Sequence, residues 1–237
     1  MTDPILSEVE IDLLARCDTP TVCNAIEVAQ GKRGFESFTR QQMVWSDPSR
    51  RSVVGYARTA KIAGANPPTQ SAEVLRARRK NYFRHMASGP RPGIAVVEDT
   101  DGDAARGAWW GEVHAYVHMN VCNLSGALTN GLLRDMDDMP EGFPILAGSL
   151  GPSHGFVHVV ETGTPVTING LSVKDGDLVH ADCHGAVVIP TDVQPKLKRA
   201  IKTLFDSEAI VLDPLKRGKI SLEEFEALWA RFEAART

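Results

Sequence analysis

The sequence predicts an α+β fold, with one main domain and a helical appendage at its carboxyl end. Its 237 residues are 43% hydrophobic, which is enough to bury a full core. Residues 53–62 and 93–98 have the length and the β-branched, aliphatic character of strands, and a helical pattern over residues 71–88 separates them. Helices and strands therefore both contribute to the predicted core.

A helix is predicted to begin at Thr19-Pro20, because threonine is a good N-cap and proline fits the first helical position. Gly31 ends this helix. Its apolar face consists of Val22, Ala25, Ile26 and Ala29.

The helix over residues 71–88 has Leu75, Tyr82 and Met86 on its apolar side. Its other side carries five basic residues, Arg76, Arg78, Arg79, Lys80 and Arg84. Such a charge run is typical of a solvated face, and the alternatives are that one or two arginines attract an anionic substrate or contact a neighbouring subunit. A formal net charge of -4 argues against RNA binding by this helix.

An adjacent Arg134-Asp135 pair follows a short aliphatic run over residues 126–133. A strand that ends in a tight turn places two such side chains at the rim of a sheet, where open α/β folds bind ligands. The planar guanidinium of arginine can hold a carboxylate or enolate oxygen, and aspartate can hold a hard cation. Taken alone, the dipeptide is also typical of a solvated surface.

Gly111-Glu112 lies at the start of a predicted helix, because residues 113, 116, 117 and 121 are apolar or small at helical spacing. The free backbone N–H groups and the positive end of the helix dipole make such a start an anion site. The alternative interpretation of Glu112 is an ordinary charge in the first helical turn.

Three pairs of histidines are spaced four residues apart: His114/His118, His154/His158 and His180/His184. Only the first is helical by its surroundings, so that both rings share one face. A zinc site of His114, His118 and Glu112 is one hypothesis, although the glutamate of a His-Glu-x-x-His motif is missing. The preferred hypothesis is that His114 and His118 line a substrate pocket.

The stretches around Gly111-Glu112 and Arg134-Asp135 belong to an ordered set of segments along the chain. This set resembles the RraA-like family, which contains regulators of ribonuclease activity and class II 4-hydroxy-4-methyl-2-oxoglutarate/oxaloacetate aldolases. The likeness runs from about residue 12 to about residue 205. The matching segments are Cys17-Asp-Thr-Pro-Thr-Val-Cys-Asn-Ala, Val54-Gly-Tyr-Ala-Arg-Thr59, Trp110-Gly-Glu, Asn130-Gly-Leu-Leu-Arg-Asp135, Gly142-Phe-Pro-Ile, Gly163-Thr-Pro-Val-Thr, Val173-Lys-Asp-Gly-Asp-Leu178 and Asp182-Cys-His-Gly-Ala-Val-Val-Ile-Pro190.

The resemblance implies a swivelling β/β/α fold over residues 1–205, with a C-terminal helical extension over residues 206–237. It also implies a homotrimer or homohexamer, with an active site between subunits. In the extension, Ser221 and Glu224 form a predicted capping box ahead of an amphipathic helix. The preceding residues resemble an EF-hand loop, but Leu215 and Arg217 stand where calcium ligands are needed, so we expect no calcium binding.

The resemblance further implies metal-dependent cleavage of a 4-hydroxy-2-oxo acid to pyruvate, with oxaloacetate decarboxylation as a related activity. Asp135 and Glu112 would hold Mg²⁺ or Mn²⁺, and Arg134 would contact the keto oxygen of the small 2-oxo acid substrate. The backbone at Gly111, Val113 and His114 would bind its carboxylate. The catalytic residues implied are thus Arg134, Glu112 and Asp135.

The chain departs from the family's aldolases at two points. Twenty-one residues separate Glu112 from Arg134, one more than in those aldolases, and Glu112 stands where Asp is usual. Asn130 replaces a common Asp, which makes the expected pocket less negative. The competing hypothesis is therefore a non-catalytic regulator that binds a protein partner such as a ribonuclease.

The chain is predicted to be a cytoplasmic protein that binds neither membranes nor nucleic acid. It has no run of 18 or more apolar residues, and its acidic start lacks the basic and hydrophobic parts of a signal segment. Its four cysteines, at positions 17, 23, 122 and 183, form no Cys-x-x-Cys pair, which favours reduced thiols.

Overall fold

The computed structural model describes residues 6–236, which form six α-helices and thirteen strands. The helices are α1 (Glu8–Arg16), α2 (Thr19–Gln30), α3 (Ala72–Met86), α4 (Glu112–Asn120), α5 (Leu197–Arg217) and α6 (Leu222–Arg236). The strands are β1 (Val44–Trp45), β2 (Val53–Ala63), β3 (Gly93–Asp99), β4 (Ala108–Trp110), β5 (Gly126–Thr129), β6 (Leu132–Leu133), β7 (Ile145–Ala147), β8 (Ser149–Leu150), β9 (His158–Thr162), β10 (Val166–Ile168), β11 (Leu171–Val173), β12 (Leu178–Asp182) and β13 (Gly185–Ile189). Within residues 6–236, no helix has the length and apolar character needed to cross a membrane.

The chain divides into two compact units. The first contains the residues up to 19 and residues 36–189, and the second contains residues 20–35 and 190–237. Helices α5 and α6 belong to the second unit and confirm the predicted C-terminal helices. The predicted boundary between residues 205 and 206 falls within α5, which continues unbroken across it.

The main sheet of the first unit has eight strands in the order β1-β7-β5-β3-β2-β12-β13, with β9 also paired to β2. Strands β2, β3, β5 and β7 run parallel, and the outer strands are antiparallel to their neighbours. Strand β3 is buried on both faces, because Ala95 and Val97 pack into one apolar cluster and Ile94 and Val96 into another. This mixed sheet with its helices confirms the predicted α+β class.

The elements that the sequence predicted most strongly are present. Strands β2 and β3 match the predicted runs to within one residue, and α3 lies inside the predicted 71–88 range. Helix α2 includes Thr19, which was expected to precede it as N-cap, and Gly31 ends it with a φ of 67°. Tyr82 and Met86 of α3 are fully buried, as expected from the apolar side of that helix. Ser221 accepts the Glu224 N–H at 3.1 Å, which is one of the two hydrogen bonds of the predicted capping box.

A second, three-stranded parallel sheet determines where the candidate site lies. Strand β6 pairs with β4 on one side and with β8 on the other. Because β4 and β6 run in the same direction, the residues that follow them emerge at the same edge. Gly111 and Glu112 follow β4, and Arg134 and Asp135 follow β6. The two stretches singled out in the sequence are therefore brought together by this pairing.

A largely buried ion pair joins β2 to the turn before β12. Arg58 bonds to Asp175 through Nη1 and to Nδ1 of His85 through Nη2, and Nε2 of His85 lies 3.0 Å from Asp175. The Thr59 N–H also donates to Asp175, at 2.9 Å. Burial alone would raise the pKa of Asp175, but His85, the Thr59 N–H and the Arg58 charge outweigh it, so that its pKa is lowered.

We expect Asp175→Asn to destabilise the fold at pH 7. The Arg58 side chain has an exposed fraction of only 9%, and the substitution removes the carboxylate that balances its charge. The expected loss is about 3 kcal/mol, or roughly 6–12 °C in melting temperature by calorimetry. Asp206→Asn is the matched control, because it breaks an exposed ion pair with Lys202 and should change little. The lowered pKa means that the Asp175 contribution is complete above about pH 4 and is lost as the pH falls through its native pKa. Equal melting temperatures for wild type and Asp175→Asn at pH 7 would contradict this account.

Candidate active site

The carboxylate of Asp135 lies against the amino-terminal end of α4. Its Oδ2 accepts the backbone N–H of Glu112 at 3.2 Å and lies 3.5 Å from Nε of Arg134. A Cβ atom on Gly111 would come within 2.6 Å of the same oxygen, so that only glycine allows this approach. The close approach of Asp135 therefore explains why position 111 of the Trp110-Gly-Glu segment is a glycine.

Asp135 has a left-handed backbone conformation, with φ 57° and ψ 43°. Aspartate tolerates this region better than most residues. Its carbonyl accepts the N–H of Asp138 at 3.1 Å, which starts the short 3₁₀ turn over Met136–Asp138. The turn directs the side chain back over the end of β6 and towards α4, and the sequence alone could not predict this reversal.

Arg134 is held by its backbone, and its side chain remains accessible. Its N–H donates to the carbonyl of Trp110 at 3.1 Å, which extends the pairing of β4 and β6. The side chains of Arg134 and Asp135 each have an exposed fraction of 35%. A ligand can therefore reach both groups.

A cavity of about 650 Å³ opens beside these residues. Gly111, Val113, His114 and Arg134, the four predicted substrate-binding residues, all contribute to its wall. Glu112 and Asp135, the predicted metal ligands, are absent from that wall, although Asp135 is adjacent to Gly111 and Arg134. Other wall residues that the sequence did not single out for this site include Trp109, Phe156 and Val157.

His114 is a neutral residue at physiological pH. Burial, together with the smaller effects of the Arg79 and Arg134 charges, lowers its pKa to about 4. Its Nδ1 is buried and has no hydrogen-bond partner within residues 6–236. The ring therefore keeps an unused polar atom beside the cavity.

His118 does not line the cavity, which corrects the hypothesis that both histidines do. It is fully buried, and Nε2 lies 2.7 Å from the Tyr82 hydroxyl while Nδ1 lies 2.6 Å from the carbonyl of His114. The Tyr82 hydroxyl also accepts Nε1–H of Trp109 at 3.2 Å. Both ring nitrogens of His118 are thus occupied, so the zinc hypothesis of His114, His118 and Glu112 is wrong.

The profile of the RraA-like family (Aldolase/RraA) matches residues 19–188, which is most of the chain. The chain belongs to the RraA-like family. A provisionally named 4-hydroxy-4-methyl-2-oxoglutarate aldolase of Halalkalibacterium halodurans is 26% identical over 208 residues, covering 86% of this chain and 89% of that protein. An uncharacterised protein of Methanocaldococcus jannaschii is 27% identical over 114 residues, covering 47% of this chain and 54% of that protein.

Solved structures confirm the RraA-like fold. The crystal structure of an uncharacterised protein from Pseudomonas syringae pv. tomato has a TM-score of 0.69 at 17% identity, covering 100% of this chain and 96% of the other. Streptomyces coelicolor RraAS2, described as an unusual member of the RNase ES inhibitor RraA family, has a TM-score of 0.63 at 22% identity. That match covers 91% of this chain and 99% of RraAS2. At sequence identities this low, these matches show that the fold is shared and show nothing about function.

Asn130, a departure from the RraA-like aldolases, has a structural role in this chain. Its Oδ1 accepts the N–H of Asp99 at 2.8 Å, and its Nδ2 donates to the carbonyl of Asp99 at 2.9 Å. The amide thereby joins the end of β3 to the turn between β5 and β6. A carboxylate could not donate the second of these bonds, so Asn suits this position better than Asp.

Asp99 is a buried acid with an exposed fraction of 1%. Its Oδ1 accepts the Asp101 N–H at 3.0 Å, whereas its Oδ2 has no hydrogen-bond partner within residues 6–236. Burial raises its pKa to about 6. The residue was not predicted, because nothing in its local sequence separates it from an ordinary acid at the end of a strand.

We expect Asp99→Asn to stabilise this RraA-like protein at pH 8, by roughly 2 kcal/mol, because it removes a buried charge. A raised native pKa means that the ionised form destabilises the fold above about pH 6, and that this effect disappears as the pH falls to about 4. Thermal unfolding of wild type and variant from pH 4 to pH 8 should therefore show a difference that grows with pH. Asp103→Asn, at a nearby exposed position, is the control. A difference independent of pH would refute the role of ionisation.

Proposed function

We propose that this protein is a divalent-metal-dependent pyruvate aldolase, which cleaves a 4-hydroxy-2-oxo acid to pyruvate and a second carbonyl compound. Oxaloacetate decarboxylation is proposed as a related activity. The observation that carries the proposal is the meeting of Arg134, the start of α4 and the Asp135 carboxylate at one edge of the small sheet. The family contains aldolases, and the relative from H. halodurans carries an aldolase name.

Asp135 and Glu112 offer a donor set that suits Mg²⁺ or Mn²⁺. Both are carboxylates, which these hard cations prefer to thiolate or imidazole. Within residues 6–236, the Asp135 carboxylate contacts Glu112 N–H and Arg134 through Oδ2, which leaves Oδ1 for an ion. Glu112 is exposed at the first position of α4 and would hold the ion directly or through water. When bound, the ion would stabilise negative charge that develops on the keto oxygen.

The substrate carboxylate would bind at the start of α4. The first N–H groups of a helix have no partner within the helix, and its dipole favours an anion there. Asp135 takes the N–H of Glu112, so we assign the N–H groups of Val113 and His114 to the substrate, with Gly111 allowing its close approach.

Cleavage breaks the bond between C3 and C4 of the substrate. Loss of the C4 hydroxyl proton to a base forms the new carbonyl, and the electron pair of the broken bond passes into the enolate of pyruvate, which is then protonated at C3. Arg134 would stabilise the enolate oxygen with its fixed, planar donors. Assembly as a homotrimer or homohexamer, which could add groups from a neighbouring subunit, is part of the same proposal.

We expect pyruvate release from 4-hydroxy-4-methyl-2-oxoglutarate or oxaloacetate to require a divalent cation. Exhaustive treatment with EDTA should abolish it, and Mg²⁺ or Mn²⁺ should restore it, because only carboxylate ligands are proposed. Elemental analysis of the treated protein provides the readout of metal content. Full turnover by protein without detectable metal would rule out the metal mechanism.

Arg134→Lys should keep the fold and lose turnover by about 10²-fold or more, because lysine retains the charge but not the planar pair of donors. Glu112→Gln should chiefly raise the Mg²⁺ concentration that gives half-maximal activity. Both variants are to be compared for kcat, inhibition by pyruvate and melting temperature, with Arg84→Lys on the exposed side of α3 as control. Wild-type turnover by both Arg134→Lys and Glu112→Gln would show that the site is assigned wrongly.

A regulator of ribonuclease activity is the alternative within the same family. If the native protein released no pyruvate from any 4-hydroxy-2-oxo acid or from oxaloacetate at saturating Mg²⁺, this alternative would become the better interpretation. Inhibition of a ribonuclease by the purified protein would then be the direct measurement.

A further inference from the structure

The cavity beside Arg134 is much larger than pyruvate needs. Its volume of about 650 Å³ lies in the range of pockets that enclose ligands of drug size. Pyruvate has only three carbons, and the second half of the substrate must occupy much of the remaining space. The chemistry of the cavity wall therefore carries information on that second half.

One wall is a single face of α3 with two arginines. Ala72, Leu75, Arg76 and Arg79 are spaced three or four residues apart, so their side chains share that face. Neither arginine forms an ion pair with another residue among those that the structure describes. No aspartate or glutamate within residues 6–236 lines the cavity. Within the described residues of one subunit, the wall thus presents two cationic groups whose charge no ion pair neutralises.

The remaining wall is mostly apolar. Trp109, Val157 and Val159 contribute buried or half-buried side chains, and Leu75 joins them from α3. Two apolar side chains at the cavity are exposed to solvent: Val113 has an exposed fraction of 70% and Phe156 one of 51%. A ligand with an apolar body would cover this surface and gain the free energy of its burial.

We propose that the second half of the substrate is an apolar group, such as a phenyl ring, that ends in a carboxylate. The 2-oxo acid end would lie at Arg134 and the start of α4, the apolar body against Trp109 and Phe156, and the terminal carboxylate at Arg76 and Arg79. This inference rests on the proposed aldol cleavage and specifies its substrate class. The products would be pyruvate and an aldehyde that carries the apolar group and its carboxylate.

Binding of 4-(hydroxymethyl)benzoate, an unreactive analogue of that aldehyde, tests the pocket without catalysis. Isothermal titration calorimetry should detect it, with benzyl alcohol binding at least about 10-fold more weakly, because a charge-assisted hydrogen bond to arginine contributes at this scale. The double variant Arg76→Gln/Arg79→Gln should abolish the difference between the two compounds. Arg84→Gln, on the same helix but outside the cavity wall, should leave it unchanged.

Turnover gives the second measurement. We expect kcat/KM for 4-(4-carboxyphenyl)-4-hydroxy-2-oxobutanoate to exceed that for the 4-phenyl analogue and for 4-hydroxy-4-methyl-2-oxoglutarate, and the double variant to lose this preference by about 10–100-fold. If the short dicarboxylate is cleaved but the benzoate analogue does not bind, or if the double variant keeps the preference, the inference is overturned and the proposed reaction stands. If nothing is cleaved but the benzoate binds through Arg76 and Arg79, the proposed reaction fails and the anion pocket is supported.

Discussion

The hydrogen bond between the Tyr82 hydroxyl and Nε2 of His118 fixes the elements that form the candidate site. Tyr82 lies on α3, His118 on α4, and Nε1–H of Trp109, at the middle of β4, donates to the same hydroxyl. All three side chains are almost fully buried, so breaking the set would leave polar atoms without water or protein partners. Burial raises the pKa of Tyr82 and lowers that of His118 to about 3, so both groups remain neutral and the link does not change across physiological pH. This link joins α3, which carries Arg76 and Arg79, to α4, whose amino-terminal end lies beside Asp135.

A second constraint acts at the end of β6. The chain must turn there with Asp135 in the left-handed region, and the carboxylate must reach the first N–H of α4 past a residue without a Cβ atom. The geometry thus couples two residues that are 24 positions apart, Gly111 and Asp135. Neither is informative alone, and together they hold a carboxylate beside a cationic side chain at the rim of a sheet. This arrangement is a more specific indication of a binding site than the Arg134-Asp135 dipeptide.

The sequence predicted those features that depend on local interactions. Strands β2 and β3, helix α3 and the start of α4 follow from periodicity and from capping chemistry, which act within a few residues. The partners of His118 could not be predicted in this way, because four-residue spacing shows that two histidines share a face but not which distant groups occupy their ring nitrogens. The same holds for Asn130, whose two bonds to the backbone of Asp99 cross between neighbouring strands. The hypotheses that placed His118 at the cavity and in a zinc site were wrong because they depended on long-range contacts of this kind.

The overall charge of the chain gives no indication of the field inside the cavity. The protein carries a formal net charge of -4, yet the cavity wall contains Arg76, Arg79 and Arg134 and no acidic side chain within the described residues. Exposed charges farther away than about 8 Å are largely screened at physiological ionic strength, so a bound anion would interact mainly with the wall itself and with Asp135, whose carboxylate lies 3.5 Å from Arg134. Burial is the main cause of the low pKa of His114, and the charges of Arg79 and Arg134 act in the same direction, because both disfavour its protonated form. The proposed selectivity for anions would therefore be set by a single helix face and one strand end, and it is compatible with an acidic protein.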